Sequence, residues 1–209
     1  MTRARLLDIA VREFGARGLD GAATRDIAAA AGTAMSSITY HYGGKEGLYL
    51  AAADHIANHM AQEMAPALAA EDEVGEGDAE AARVALHRLI GRLVDRMGEP
   101  DAGGISLFLQ REQLQPSDAF ERIWAGIMGQ MTRRLADLVR AATGATLPVA
   151  RLATLTLLGQ AMGVRASRAA VLRLCELDEV DPETLTRLKA RIDSNIDAIL
   201  DRMVAEEQQ

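Results

Sequence analysis

Between Thr24 and Tyr49 the chain reads TRDIAAAAGTAMSSITYHYGGKEGLY, two short helical patterns either side of Gly32 and a third opening at Lys45. This stretch constrains the fold more than any other. Thr24 is a good N-cap type, and Ile27 and Ala28 mark the buried side of the first short helix. Gly32 can adopt the left-handed backbone of a sharp turn at little steric cost. The second helix, about Ala34 to His41, has one large aliphatic residue, Ile38. If Ile38 faces inward, Ser36, Ser37, Thr39 and Tyr40 are left outside. Two helices joined this way form a helix-turn-helix, whose second helix enters the major groove of DNA.

Leu6, Ile9, Ala10 and Phe14 fall on one face of a preceding helix ended by Gly18, with Leu19 plugging the small core. After Lys45 a long helix is expected to about Ala69. The acidic EDEVGEGD of residues 71–78 reads as an exposed loop. Ala79 to Met97 forms the next helix, with Val84, Leu86, Leu89, Ile90, Leu93, Val94 and Met97 as its apolar set. GEPDAGG (98–104) breaks it, and a short helix follows from Ile105 to Leu114. Asp118 and Glu121 are spaced like a capping box for a helix running to about Thr143. Two long helices close the chain, Pro148 to about Cys175 and one opened by Asp181-Pro182. Leu152, Leu155, Gly159, Met162, Ala166 and Ala169 on the first, and Leu185, Leu188, Ile192, Ile196, Ile199 and Met203 on the second, recur in a 3-4 rhythm. These seams predict a four-helix interface between two copies; intrachain core is the competing reading.

The expected fold is therefore all-α. A three-helix head (1–46) precedes a ligand-binding and dimerisation domain (47–209) of about six helices that dimerises through the last two. Aromatics at 3% and only five prolines agree with it. The net charge of −7 opposes a nucleic-acid partner only if it is spread evenly. It is not: residues 1–50 hold Arg3, Arg5, Arg12, Arg17, Arg25 and Lys45 against Asp8, Glu13, Asp20, Asp26 and Glu46, so the acid excess lies beyond them. Cys175 is the only cysteine, which excludes an internal disulfide and fits a cytoplasmic location. It reads as a small apolar helix residue. No uninterrupted apolar run approaches the roughly 18–20 residues that span a bilayer, so no membrane partner is expected.

The run AGTAMSSITYHYGGKEGLYLAA resembles the DNA-binding domain of TetR-type regulators. Ala31, Gly32, Ile38, Tyr40, His41, Tyr42, Lys45, Glu46 and Leu48 stand where that pattern places its counterparts. LFLQREQLQPSDAFERIW and LLGQAMGVRASRAAVLRL resemble the C-terminal domain of the CecR-like subset of that family. The resemblance implies a homodimeric DNA-binding regulator, usually a repressor, whose affinity for a palindromic operator in double-stranded DNA is set by a small molecule in the C-terminal domain.

For DNA, the candidate residues are Thr24, Arg25, Thr33, Met35, Ser36, Ser37, Thr39, Tyr40, His41 and Lys45. Lys45 offers an ammonium and a helix N-terminus to a phosphate, and Thr24 a hydroxyl and a helix N-terminus. Tyr42 is expected in the core and Tyr40 outside it. The recognition helix has no Arg, Lys, Asn or Gln before His41, so bidentate base pairings are missing from it. Arg25 is the nearest guanidinium, placed either for a guanine contact or for an ion pair with Asp26 or a phosphate. For the effector, the candidate walls are Phe108, Trp124, Met128, Met131, Met162 and Val164, with Arg111 and Arg165 as polar anchors. Plain core is the alternative for each. Such walls predict an apolar or aromatic effector.

His55, His59 and Glu63 share a face of the long helix, as a metal site or, more simply, a solvated face. No metal or cofactor is expected. A four-helix carboxylate enzyme would need Glu-x-x-His pairs, and none of the four histidines has a glutamate three positions before it. Gly-x-Ser-x-Gly, P-loop and dinucleotide fingerprints are missing too. A protein-only helical adaptor would leave the outward hydroxyl and Tyr-His pattern without a purpose.

Overall fold

The computed structural model describes residues 3–71, 78–99 and 103–208. Every regular element among them is helical: α1 Arg3–Gly21, α2 Thr24–Ala31, α3 Met35–Tyr42, α4 Lys45–Glu71, α5 Ala79–Gly98, α6 Gly103–Leu114, α7 Asp118–Ile123, a π-helical turn Trp124–Met128, α8 Gly129–Thr143, α9 Leu147–Ala166, α10 Arg168–Leu174 and α11 Pro182–Glu207. Of the loops expected over 71–78 and 98–104, residues 72–77 and 100–102 lie outside the described residues, while Glu71, Gly98, Gly103 and Gly104 are helical. The chain forms two compact units, residues 1–65 with 100–130 and residues 66–99 with 131–209.

In the first unit, Leu6, Leu7, Ala10, Val11 and Phe14 of α1 meet Ile27, Ala28, Ile38, Leu48, Tyr49, Ala52, Phe108 and Ile123 in one core. Tyr49 is the hinge of this packing. Phe14 meets its ring edge-on with centroids 4.9 Å apart, and Phe108 stacks on it at 4.7 Å. α1 and α6 cross backbone to backbone: a Cβ on Gly15 would stand 2.7 Å from the Gly104 carbonyl oxygen. Gly18 breaks α1 as expected, with φ 74° and ψ 174°. The Arg111 guanidinium donates to the carbonyls freed before that break, Gly15 and Ala16, both at 2.7 Å.

In the second unit, α5 packs on both α9 and α11. Leu86, Leu89, Ile90 and Val94 of α5, Leu157 and Ala161 of α9, and Ile196 and Leu200 of α11 are buried. Gly91 lies beneath the Lys189 side chain, whose Cε would be 2.8 Å from an added Cβ, and Lys189 reaches over it to Asp95 at 2.6 Å. Asp181 caps α11 by accepting from the Thr184 N–H at 2.7 Å, and that bond holds its carboxyl below the usual range.

Several expectations need correction. The N-cap of α2 is Ala23, and Thr24 is already helical. Ser117, not Asp118, caps α7, and the helix predicted to run unbroken to Thr143 passes through the π turn, where Gly126 leaves helical geometry. The helix expected over 148–175 breaks at Ser167 into α9 and α10. Val84 is exposed. Cys175 is an exposed C-cap residue after α10. α4 continues through Pro66, whose missing N–H removes one rung of the ladder. Finally, α9 is long and apolar enough to cross a membrane by length and mean hydropathy, 1.3 over its window. A search for unbroken apolar runs passes over it because Arg151, Thr154, Thr156 and Gln160 interrupt the sequence. One side of this helix, Ala150, Thr154, Leu157, Ala161 and Val164, is buried.

Candidate nucleic-acid interface

The α2–α3 turn is made as the sequence predicts. Gly32 has φ 67° and ψ 36°, and its N–H and that of Thr33 return to the last carbonyls of α2. The eight residues of α3 then separate cleanly. Ile38 is fully buried, whereas Tyr40 is 86% exposed. Met35, Ser36, Thr39 and His41 are exposed with it, and Tyr42 is half-buried against the core. The Tyr40 and His41 rings meet edge-on at 5.0 Å.

Thr33, Ser37 and His41 fall four residues apart and line one groove of about 470 Å³ with Arg3, Leu6, Gly32 and Tyr42. Arg3 is a cation that the sequence argument did not place there. The Thr39 hydroxyl donates back to the Met35 carbonyl at 3.3 Å, so it faces outward chiefly as an acceptor. Arg25 is exposed, its Nε 3.9 Å from Asp26. That separation is too long for a firm hydrogen bond, so the guanidinium stays available. Arg17 reaches both Glu13, at 3.4 Å, and Asp26, at 3.7 Å.

Lys45 is half-buried and donates to the Asp20 carbonyl at 2.9 Å, tying the start of α4 to the end of α1. An ammonium has three protons, so others remain for a phosphate. The α3–α4 junction depends on glycine. Gly43 ends α3 with φ 75°, and Gly44 has φ 128°. A Cβ on Gly47 would stand 1.7 Å from the Tyr42 carbonyl oxygen. Sequence reading missed Gly47; a glycine in the first turn of a helix is its only trace, since glycine there costs about 1 kcal/mol against alanine.

Glu112 was missed as well. It is 3% exposed, and its carboxylate accepts four bonds. The Tyr49 hydroxyl donates at 2.5 Å, the Ser117 N–H at 3.0 Å, the Ser117 hydroxyl at 2.9 Å and the Phe120 N–H at 3.0 Å. Glu112 therefore completes the N-terminus of α7 from a neighbouring helix while holding α4. Burial, then the bond to Glu112, pushes the Tyr49 phenol far above its ordinary value of about 10, so it stays a donor in alkali.

The effector candidates divide between the units. In the first, Phe108 is core under Tyr49, Arg111 is committed to the carbonyls of α1, Trp124 lies stacked on Phe120 with centroids 6.0 Å apart, and Met128 packs beside the core. In the second, Met131 and Val164 are buried and Met162 is half-buried. Arg165 donates to the Glu99 carbonyl, and burial, then Arg168 and Arg96, hold its pKa below the ordinary value. Of the histidines on α4, His55 pairs with Asp8 at 2.7 Å and His59 with Glu63 at 3.1 Å. No group of three ligating side chains forms among the described residues.

Known proteins match this arrangement along its length. The family described as bacterial regulatory proteins, tetR family, matches residues 6–52, and the C-terminal domain of the HTH-type transcriptional dual regulator CecR matches residues 80–203. The HTH-type transcriptional dual regulator CecR of Shigella flexneri is 31% identical over 201 residues, covering 93% of this chain and 89% of that one. Among solved structures, a transcriptional regulator from Saccharomonospora viridis in complex with choline superposes with a TM-score of 0.64 at 17% identity, over 92% of this chain and 94% of that one. AibR in complex with isovaleryl coenzyme A and operator DNA gives 0.63 at 18% identity, over 92% and 96%. The head, the C-terminal domain and the full-length relative agree: the chain belongs to the TetR family of DNA-binding transcriptional regulators and carries a CecR-type C-terminal domain.

Proposed function

We propose that this regulator represses transcription as a two-fold homodimer on a palindromic operator, and releases it when a small apolar or aromatic effector occupies residues 47–209. The DNA head is residues 1–46. One observation carries the reading of the head: Ile38 anchors α3 while the phenol of Tyr40 stands almost fully in solvent. Thr24, Thr33, Tyr40, His41 and Lys45 supply phosphate contacts; Met35, Ser36, Ser37 and Thr39 meet base edges by apolar contact, single hydrogen bonds or water. The cytoplasm, where the DNA lies, is the proposed location.

Dimerisation is supported by α9. Leu152 and Leu155 are 67% and 61% exposed, Val149 is exposed beside them, and a Cβ on Gly159 or Gly163 would meet nothing within 4 Å. A second copy covers such a stripe and supplies the two-fold that a palindrome requires. The effector is supported by relatives that hold small molecules, choline in one and isovaleryl coenzyme A in another. The name of the Shigella flexneri relative, a dual regulator, favours a second reading in which the same contacts activate some promoters.

The test is a mobility shift on DNA beside the protein's own gene, repeated with Arg25→Ala. If Arg25 reads guanine, the variant relaxes specificity at one base per half-site by about 1–3 kcal/mol. A uniform loss across all sequences assigns Arg25 to a phosphate instead. With two or three phosphates neutralised per chain, the log–log salt slope of the dimer is expected at about −4 to −5. A slope near zero contradicts the electrostatic picture.

A further inference from the structure

α5 and α11 are joined by a ladder of charges at four-residue spacing. Asp201 and Asp197 of α11 take the Arg83 guanidinium at 2.7 and 3.1 Å. Asp197 and Asp193 take opposite nitrogens of His87, Nε2 at 2.9 Å and Nδ1 at 3.0 Å. Lys189 closes the row on Asp95. His87 is the one member whose charge changes near neutral pH.

Its geometry selects one protonation state. A neutral imidazole has one N–H and one bare nitrogen. Each His87 nitrogen faces a carboxylate oxygen, so a neutral ring would turn a lone pair onto an anion. Only the imidazolium satisfies both contacts. We propose that His87 is a proton-dependent staple between α5 and α11, closed while the ring carries both protons and loosened when it loses one.

The charged groups around the ring agree. From α11 it meets Asp193 and Asp197, and from α5 Arg83 competes for Asp197. α9, also packed on α5, carries only Arg151 and Arg165 as titratable residues; Arg151 is exposed and Arg165 is turned to the Glu99 carbonyl. Partial burial, the largest influence, pulls the His87 pKa down, but the bonds to Asp193 and Asp197 outweigh it and the net direction is upward. Asp197 moves the opposite way, held low first by His87 and also by Arg83. A histidine raised in the folded state contributes fully below its unfolded value of about 6.5, and that contribution fades as pH climbs through the raised value.

Nitrogen-detected imidazole NMR on the intact protein, with the His87 signal identified by its loss in His87→Gln, tests this directly. Both ring nitrogens are expected to be protonated at pH 6.5, with a midpoint above 6.5 that falls in Asp193→Asn. The Tm gap between the wild type and His87→Gln is expected on the order of 2–4 °C at pH 6, closing by pH 8.5. A single-proton tautomer at pH 6.5, or a Tm gap that does not change with pH, overturns the staple. The NMR arm needs only the wild type and the Asp193→Asn variant. Should His87→Gln fold poorly, the ring signal whose midpoint falls in Asp193→Asn identifies His87, and a set of histidine signals with no such shift overturns the staple as well.

Discussion

Glu112→Ala is expected to lower stability by about 3–5 kcal/mol. Four donors converge on that carboxylate, and three of them belong to α7 or its cap. The fourth is the buried Tyr49, whose ring sits between Phe14 and Phe108. Truncation removes the shared acceptor: the buried Tyr49 phenol is orphaned at about 1–3 kcal/mol, and the bonds to Ser117, an exposed residue, and to the N–H of half-buried Phe120 are lost at a smaller cost each. For a chain of 209 residues the Tm should drop by roughly 10 °C or more. Tyr49→Phe removes only one bond and leaves Glu112 three, so its loss should be smaller, about 1.5–3 kcal/mol. Urea unfolding of the two variants measures both. Equal losses, or a Glu112→Ala loss below about 1 kcal/mol, would show that the carboxylate is not the shared acceptor.

Gly47→Ala is expected to weaken operator binding by about tenfold or more. The added methyl would overlap the Tyr42 carbonyl, 1.7 Å away, and that carbonyl is backbone at the end of α3 rather than the tip of a flexible side chain. Relief therefore requires α3 and α4 to separate. Overpacking of this kind costs about 1–3 kcal/mol or more. The displaced groups are the ones proposed to hold DNA, from Tyr40 to Lys45. At about 1.4 kcal/mol per factor of ten, operator affinity should weaken at least tenfold. Gly21→Ala is the control, because its Cβ would meet the Arg17 Cβ at an ordinary 3.4 Å. Titration of labelled DNA with each variant, beside a circular-dichroism check of helix content, separates the effects. Undiminished affinity in Gly47→Ala would mean that the α3–α4 junction does not set the reading surface.

What the sequence made legible was local. An eight-residue helix with a single large aliphatic residue can point only one way, so Ile38 inward and Tyr40 outward followed from spacing. Gly32 and Gly18 were readable because a left-handed turn admits few other residues. The pairing of Glu112 with Tyr49 was not, since 63 positions separate them and only tertiary packing brings them together. The same holds for Arg111, by sequence a candidate effector anchor, which the fold sends to the carbonyls of α1. Capping failed by one residue at Ser117, because Glu112 supplies from outside what a capping box would supply from within. The seam expected from Leu152 to Ala169 is divided by the break at Ser167, and periodicity alone does not say which apolar face of α9 meets the chain's own core. Here the buried set is Ala150, Thr154, Leu157, Ala161 and Val164, leaving Leu152 and Leu155 outward.

Hydroxyl-radical footprinting on the DNA beside the protein's gene, with the chain-to-duplex ratio measured in the same complex, tests the central claim most directly. Two copies whose α3 helices enter successive major grooves should protect two patches on one side of the duplex, about 10 base pairs or 34–36 Å apart, at two chains or a multiple of two per site. A single protected patch held by one chain, or no protection even at low salt, would contradict it.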